Sequence, residues 1–64
     1  MTGALAIIRA FNEQATVAHV VADVRLHLPQ ADVVVIDDGS TDATAARARG
    51  AGARVVSLPV NLGM

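Results

Sequence analysis

The chain has 64 residues, a net charge of -1, five arginines, no lysine and no cysteine. That excludes disulfide staples and thiolate metal sites, and arginines scattered from Arg9 to Arg54 make no basic stripe for nucleic acid or an anionic membrane surface. A hydrophobic share of 53% with Phe11 as the single aromatic describes helices packed closely on a sheet, in a chain so small that only about 60% of its unfolded surface is buried on folding.

No apolar run approaches the roughly 18 residues that a membrane span needs, and the N-terminus lacks a charged region ahead of a long apolar run. A cytoplasmic location follows by default, with membrane association left open for a longer protein. Leu5-Ala6-Ile7-Ile8 reads as a first strand. A helix is expected next: Asn12 as N-cap, Glu13 in the first turn, then Val17, Val20, Val21, Val24 and Leu28 at spacings of three and four. Pro29 stops it at about Leu28, because the residue before a proline is pushed out of the helical region. His19 and His27 lie on this helix and receive no role.

The stretch from Val33 to Asp42 organises the rest. Val33, Val34, Val35 and Ile36 read as a strand buried on both faces, which breaks into Asp37, Asp38, Gly39, Ser40, Thr41 and Asp42. Ser40, Thr41 and Asp42 are expected to make a tight turn and a helix start. Asp37 and Asp38 sit at the C-terminal end of a strand, where open parallel sheets bind ligands, so they are functional candidates. An alanine-rich helix over 43–49 follows, with Arg47 and Arg49 towards solvent and Gly50 and Gly52 as places to end. Arg54 to Leu58 makes a third strand before Pro59 and a closing loop.

The pattern is β-α-β-α-β, an α/β fold with a parallel three-stranded sheet and right-handed crossovers. With both crossovers stepping the same way the strand order is 3-2-1, and both helices cover one face. The other face, apolar as well, is expected to lie bare, so the piece calls for a continuation, a partner chain or self-association. We expect the 64 residues to behave as the front part of a larger domain.

Two loop signatures can be tested against the first turn. A dinucleotide-binding Gly-x-Gly-x-x-Gly is absent from Arg9-Ala10-Phe11-Asn12-Glu13, and a phosphate-binding P-loop needs a lysine that the chain does not have. A third type places an aromatic and a carboxylate after the first strand and an aspartate after the second, forming a pocket for a base. Such an aspartate accepts a hydrogen bond from a ring N–H of uracil or guanine and discriminates against bases that lack it.

Ile7-Ile8-Arg9-Ala10-Phe11-Asn12-Glu13, the Asp37-Asp38-Gly39-Ser40-Thr41-Asp42 block and Asn61-Leu62-Gly63 resemble the N-terminal half of the nucleotide-binding region of family 2 inverting glycosyltransferases, nearest to the dolichol-phosphate mannose synthase-like branch. The resemblance implies a Rossmann-like nucleotide-diphospho-sugar transferase fold, with residues 1–64 as part of a nucleotide-sugar-binding domain. It places Phe11 where a tyrosine beside the base is usual, Glu13 near the nucleotide, Asp38 on the base and Asp37 as the residue that holds the loop. Arg9 either faces the diphosphate or is a solvated strand-end residue. The donor implied is a nucleoside diphosphate sugar, and the acceptor a polyprenyl phosphate. The family's Asp-x-Asp for a divalent metal (Mg or Mn) and its downstream catalytic carboxylate are not found in these residues. By this resemblance the chain alone is expected to be inactive, with metal bound only by a longer protein. The alternative is a non-catalytic binding or assembly module that docks a partner through its open sheet face.

Overall fold

The structure, a computed structural model, describes residues 4–59. Five elements follow one another: β1 (Leu5–Ala10), α1 (Val17–His27), β2 (Asp32–Asp38), α2 (Thr44–Gly50) and β3 (Arg54–Leu58). The strands form one sheet in the order β1-β2-β3, all parallel, with β2 in the centre. This is the 3-2-1 order expected from the sequence. The loop at 60–64, with Asn61, Leu62 and Gly63, lies outside the described residues.

Alternation along β2 divides the sheet into two faces. Val33, Val35 and Asp37 are buried, whereas Val34, Ile36 and Asp38 are half-buried on the opposite side. The buried side meets both helices: Val33 and Val35 join Ala10, Val17, Val21, Ala48 and Ala53 in one core, flanked by Ala6, Ile8, Val24, Ala51 and Val55. The other side is apolar and uncovered among the described residues, with Leu5 61%, Ile7 60%, Val56 49% and Leu58 41% exposed.

α1 begins later than its polar residues suggest. Asn12 adopts a left-handed backbone, φ 52°, so it redirects the chain and does not cap the helix. A turn intervenes in which the Glu13 carbonyl accepts from the N–H groups of Thr16 (3.0 Å) and Val17 (2.8 Å), so Glu13 also lies ahead of the helix proper. At the other end the helix stops at His27, with Leu28 as C-cap, as Pro29 requires. Of the expected apolar stripe, Val17 and Val21 are buried and Val24 half-buried. Val20 and Leu28 are instead 40% and 50% exposed, because they flank the line of contact and the sheet beneath is three strands wide.

α2 packs through residues with almost no side chain. Ala48 is fully buried, while Arg47 and Arg49 are exposed. The alanine face also includes a polar residue, Thr44, which is fully buried. The helix ends in a Schellman arrangement: the Gly52 N–H donates to the Arg49 carbonyl (2.9 Å) and the Ala53 N–H to the Ala48 carbonyl (3.1 Å), with Gly52 at φ 100°. Arg25 of α1 then donates from Nη1 to the Ala51 carbonyl at 2.7 Å, placing a cation at the negative end of α2 and tying the two helices together.

The two glycines at this end are not equivalent. A Cβ on Gly52 would lie 2.0 Å from Arg25 Nη1, whereas one on Gly50 would meet nothing within 4 Å. Gly52→Ala is therefore expected to destabilise the fold by about 1–3 kcal/mol, chiefly from its positive φ and secondarily from the displaced guanidinium. Gly50→Ala is expected to be neutral or to stabilise by up to about 1 kcal/mol. Denaturant melts of the two variants check this, and equal effects would contradict the geometry.

Candidate functional site

Parallel pairing brings the two βα loops to the same end of the sheet. Ala10, the last residue of β1, lies opposite Asp37, and Asp38 at the end of β2 lies opposite Leu58. Residues 11–16 and 39–43 therefore emerge side by side. Between them and the open face lies a cleft of about 290 Å³ lined by Arg9, Ala10, Phe11, Glu13 and Asp38. This volume is just below the range of about 300–1,000 Å³ usual for small-molecule sites. A second depression of about 210 Å³ shares Arg9, Ala10 and Glu13 and runs along α1 past Thr16, Val17 and Val20.

The sequence candidates separate by strand parity. Arg9, Phe11, Glu13 and Asp38 line the first cleft. Asp37 is not among its lining residues: it is 5% exposed, points to the helix side of β2 and accepts a hydrogen bond at Oδ1 from the Ser40 N–H (3.1 Å). That bond closes the turn after β2 and leaves Gly39, at φ 77°, to make the reversal that a side chain would disfavour.

Arg9 and Asp38 face each other across the cleft, Nη2 to Oδ2 3.9 Å, with side chains 77% and 28% exposed. A pair at that distance with an exposed guanidinium contributes less than about 1 kcal/mol, so a ligand bearing phosphate can draw the guanidinium away at little cost. Phe11 is 49% exposed. The one aromatic ring of the chain thus stands at the cleft and not in the core. Glu13 presents a carboxylate whose Oε1 accepts from the Thr16 hydroxyl (3.3 Å). The cleft offers acceptors, one guanidinium donor and one flat apolar surface, which is the chemistry of binding.

Hydrogen bonds lock the two loops together. The Asn12 N–H donates to Ser40 Oγ (2.8 Å), and Asn12 Oδ1 accepts from the Thr41 N–H (2.9 Å). The Glu13 N–H donates to the buried Thr44 hydroxyl (2.8 Å), the Gln14 N–H to Asp42 Oδ2 (3.3 Å) and the Ala43 N–H to Gln14 Oε1 (3.1 Å). Asp42 Oδ1 accepts from both the N–H (2.9 Å) and the hydroxyl of Thr44, which organises the start of α2. Ser40, Thr41 and Asp42 thus make the expected turn and helix start, but they also brace the first loop. Sequence reasoning missed this, together with Gln14 and Thr44. The left-handed tolerance of asparagine and a threonine set among alanines were the available signals; nothing marked Gln14.

The Asp42 carboxyl is held below its ordinary value of 3.8, first by the Thr44 hydroxyl, against an opposing effect of burial, and further by the N–H groups of Thr44 and Gln14. Its carboxylate is favoured in the folded state, so its contribution to stability is complete above the ordinary value, declines as pH falls through the lowered one and vanishes below both. Asp42→Asn should melt below the wild type at neutral pH, and the gap should close as pH falls below about 3.8. Thermal melts over this range check it; a gap independent of pH would contradict the assignment.

Among the described residues no three histidine, cysteine, aspartate or glutamate side chains gather to hold a metal ion, and no helix is long and apolar enough to cross a membrane. Comparison with known proteins places the fold. Protein RfbJ of Shigella flexneri is 44% identical over 54 residues, covering 84% of this chain and 42% of RfbJ. Glucosyl-3-phosphoglycerate synthase of Mycobacterium tuberculosis is 36% identical with a TM-score of 0.72, over 86% of this chain and 21% of the synthase. The same synthase has been solved with Mn2+, uridine diphosphate and glucosyl-3-phosphoglycerate, again 36% identical, with a TM-score of 0.73. The chain thus spans less than half of the curated relative and about a fifth of the solved one. Residues 5–64 match the profile of glycosyl transferase family 2. With the parallel α/β fold shared and nearly the whole chain matched, this protein belongs to glycosyl transferase family 2.

Proposed function

We propose that the cleft beside Asp38 holds the nucleoside diphosphate of a sugar donor, and that residues 1–64 serve as the nucleotide-sugar-binding part of a glycosyltransferase. One observation carries this reading: Arg9, Phe11, Glu13 and Asp38, from two neighbouring strands and the loop after the first, line a single cleft at the C-terminal end of a parallel sheet. Asp38 accepts from the ring N–H of uracil or guanine, Phe11 packs on the base, and Arg9 turns from Asp38 to the diphosphate. Glu13 accepts from the nucleotide on the opposite lip, and Asp37 shapes the turn from behind. The synthase complex with uridine diphosphate supports the ligand class, and its Mn2+ supports a divalent metal at the diphosphate in the whole protein. The motif resemblance supports a polyprenyl phosphate acceptor, whereas the synthase has been solved with phosphoglyceric acid.

A second reading, a non-catalytic assembly module, is favoured by the uncovered face that carries Leu5, Ile7, Val56 and Leu58. Its occupant would be a second copy of the chain. Sedimentation at micromolar concentration separates the readings: a dimer supports the module, and a stable monomer opposes it.

Titration of uridine and guanosine diphosphates into the full-length protein tests the main reading. Asp38→Asn should weaken binding by about 10- to 100-fold, the loss of one charge-assisted hydrogen bond. Asp37→Asn should chiefly lower the melting temperature, and equal affinity losses would overturn the division of roles. Phe11→Tyr should retain affinity, whereas Phe11→Ala should lose about 1–3 kcal/mol of stacking.

A further inference from the structure

Asn12 stands between Phe11 and Glu13 in the chain, yet it is not among the residues that line the cleft. Its backbone and side chain are both committed to the other loop. The N–H donates to Ser40 Oγ at 2.8 Å, while Oδ1 accepts from the Thr41 N–H at 2.9 Å and the Thr41 hydroxyl at 3.4 Å. Ser40 and Thr41 follow Asp38 by two and three residues. The left-handed backbone at Asn12, φ 52°, turns its peptide N–H and side chain towards the same partner loop.

We propose that Asn12 is a positioning residue for nucleotide recognition: its clasp on Ser40 and Thr41 sets how far Phe11 and Glu13 stand from Asp38, and so fits the cleft to a base. The inference rests on the nucleotide reading above and goes beyond it by naming what holds the two lips in register. Recognition needs this because Phe11 and Glu13 stand on the loop after β1, whereas Asp38 is the last residue of β2. The strand pairing ends at Ala10 and Asp37, one residue short of Phe11 and Asp38. Asp38 is still held by its pairing with Leu58 of β3, whereas Phe11 and Glu13 are tied across by the Asn12 clasp and by the contacts of Glu13 with Thr44 and of Gln14 with Asp42. A displacement near 1 Å in such a site can cost affinity or rate by up to about 100-fold.

The test uses the full-length protein and uridine diphosphate as probe. Asn12→Gly keeps the positive φ without strain and the backbone N–H that bonds Ser40, while removing the side chain that accepts from Thr41. Its uridine diphosphate affinity, measured by calorimetry on folded protein, is expected to fall about tenfold. Ser40→Ala removes the other half of the clasp, should move affinity in the same direction, and carries the test if Asn12→Gly does not fold. The decisive readout is coupling: in an Asp38→Asn background each clasp variant should cost less than about twofold, because the spacing it sets matters through the charged Asp38 bond, which is already lost. A purely structural role would leave the affinity of the folded fraction unchanged, and that result overturns the proposal. So does a full loss that persists in the Asp38→Asn background. If Asp38→Asn alone leaves binding intact, the nucleotide reading itself fails; if Asp38→Asn weakens binding and the clasp variants do not, the positioning role alone fails.

Discussion

The parallel register of β1 on β2 is the constraint from which the rest follows. Ala10 opposite Asp37 brings the ends of two strands level, so the loops that leave them have to run side by side. Two crossovers of the same hand then put both helices on one face, which leaves the other face to the cleft and to an uncovered patch of Ile, Leu and Val side chains. Site and fold are thus consequences of one pairing, and neither can shift without the other.

The core that enforces the pairing is small. Its buried members are valines and alanines, and no large side chain reaches across the layers. What the core lacks in area is supplemented at its two ends by polar contacts: the Schellman turn with Arg25 at one end and the loop-to-loop network at the other. In a domain this small, a few hydrogen bonds of about 1 kcal/mol each are a sizeable share of the total stability. The proposed site and the stability of the fold therefore draw on the same loops, between Asn12 and Thr44.

Much of this was legible in the residues. The apolar runs at Leu5, Val33 and Arg54 located the strands, Pro29 located the end of α1, and the β-α-β-α-β order led to the strand arrangement. The pair Asp37 and Asp38 stood out as candidates because it ends an apolar strand, and the structure puts Asp38 at the cleft and Asp37 in the turn behind it. What could not be read was long-range polar pairing. Asn12 has the composition of a helix cap, and only the proximity of Thr41, 29 residues away, turns it into a bridge. Glu13 resembles a first-turn residue for the same reason. Val20 and Leu28 obey the helical period, but periodicity knows nothing of how wide the underlying sheet is.

The alternation of side chains along β2 has a consequence for how this chain tolerates change. Asp37 and Asp38 are chemically identical neighbours that differ only in which side of a pleat they occupy. Inserting or deleting one residue between Val33 and Ile36 would preserve composition and hydropathy almost entirely, yet it would send the cleft carboxylate into the helix layer and the turn-forming one out to solvent. The information in the acidic pair is thus positional, a parity written by the four apolar residues ahead of it. Length conservation of that run is a stricter requirement than the identity of any one of its side chains.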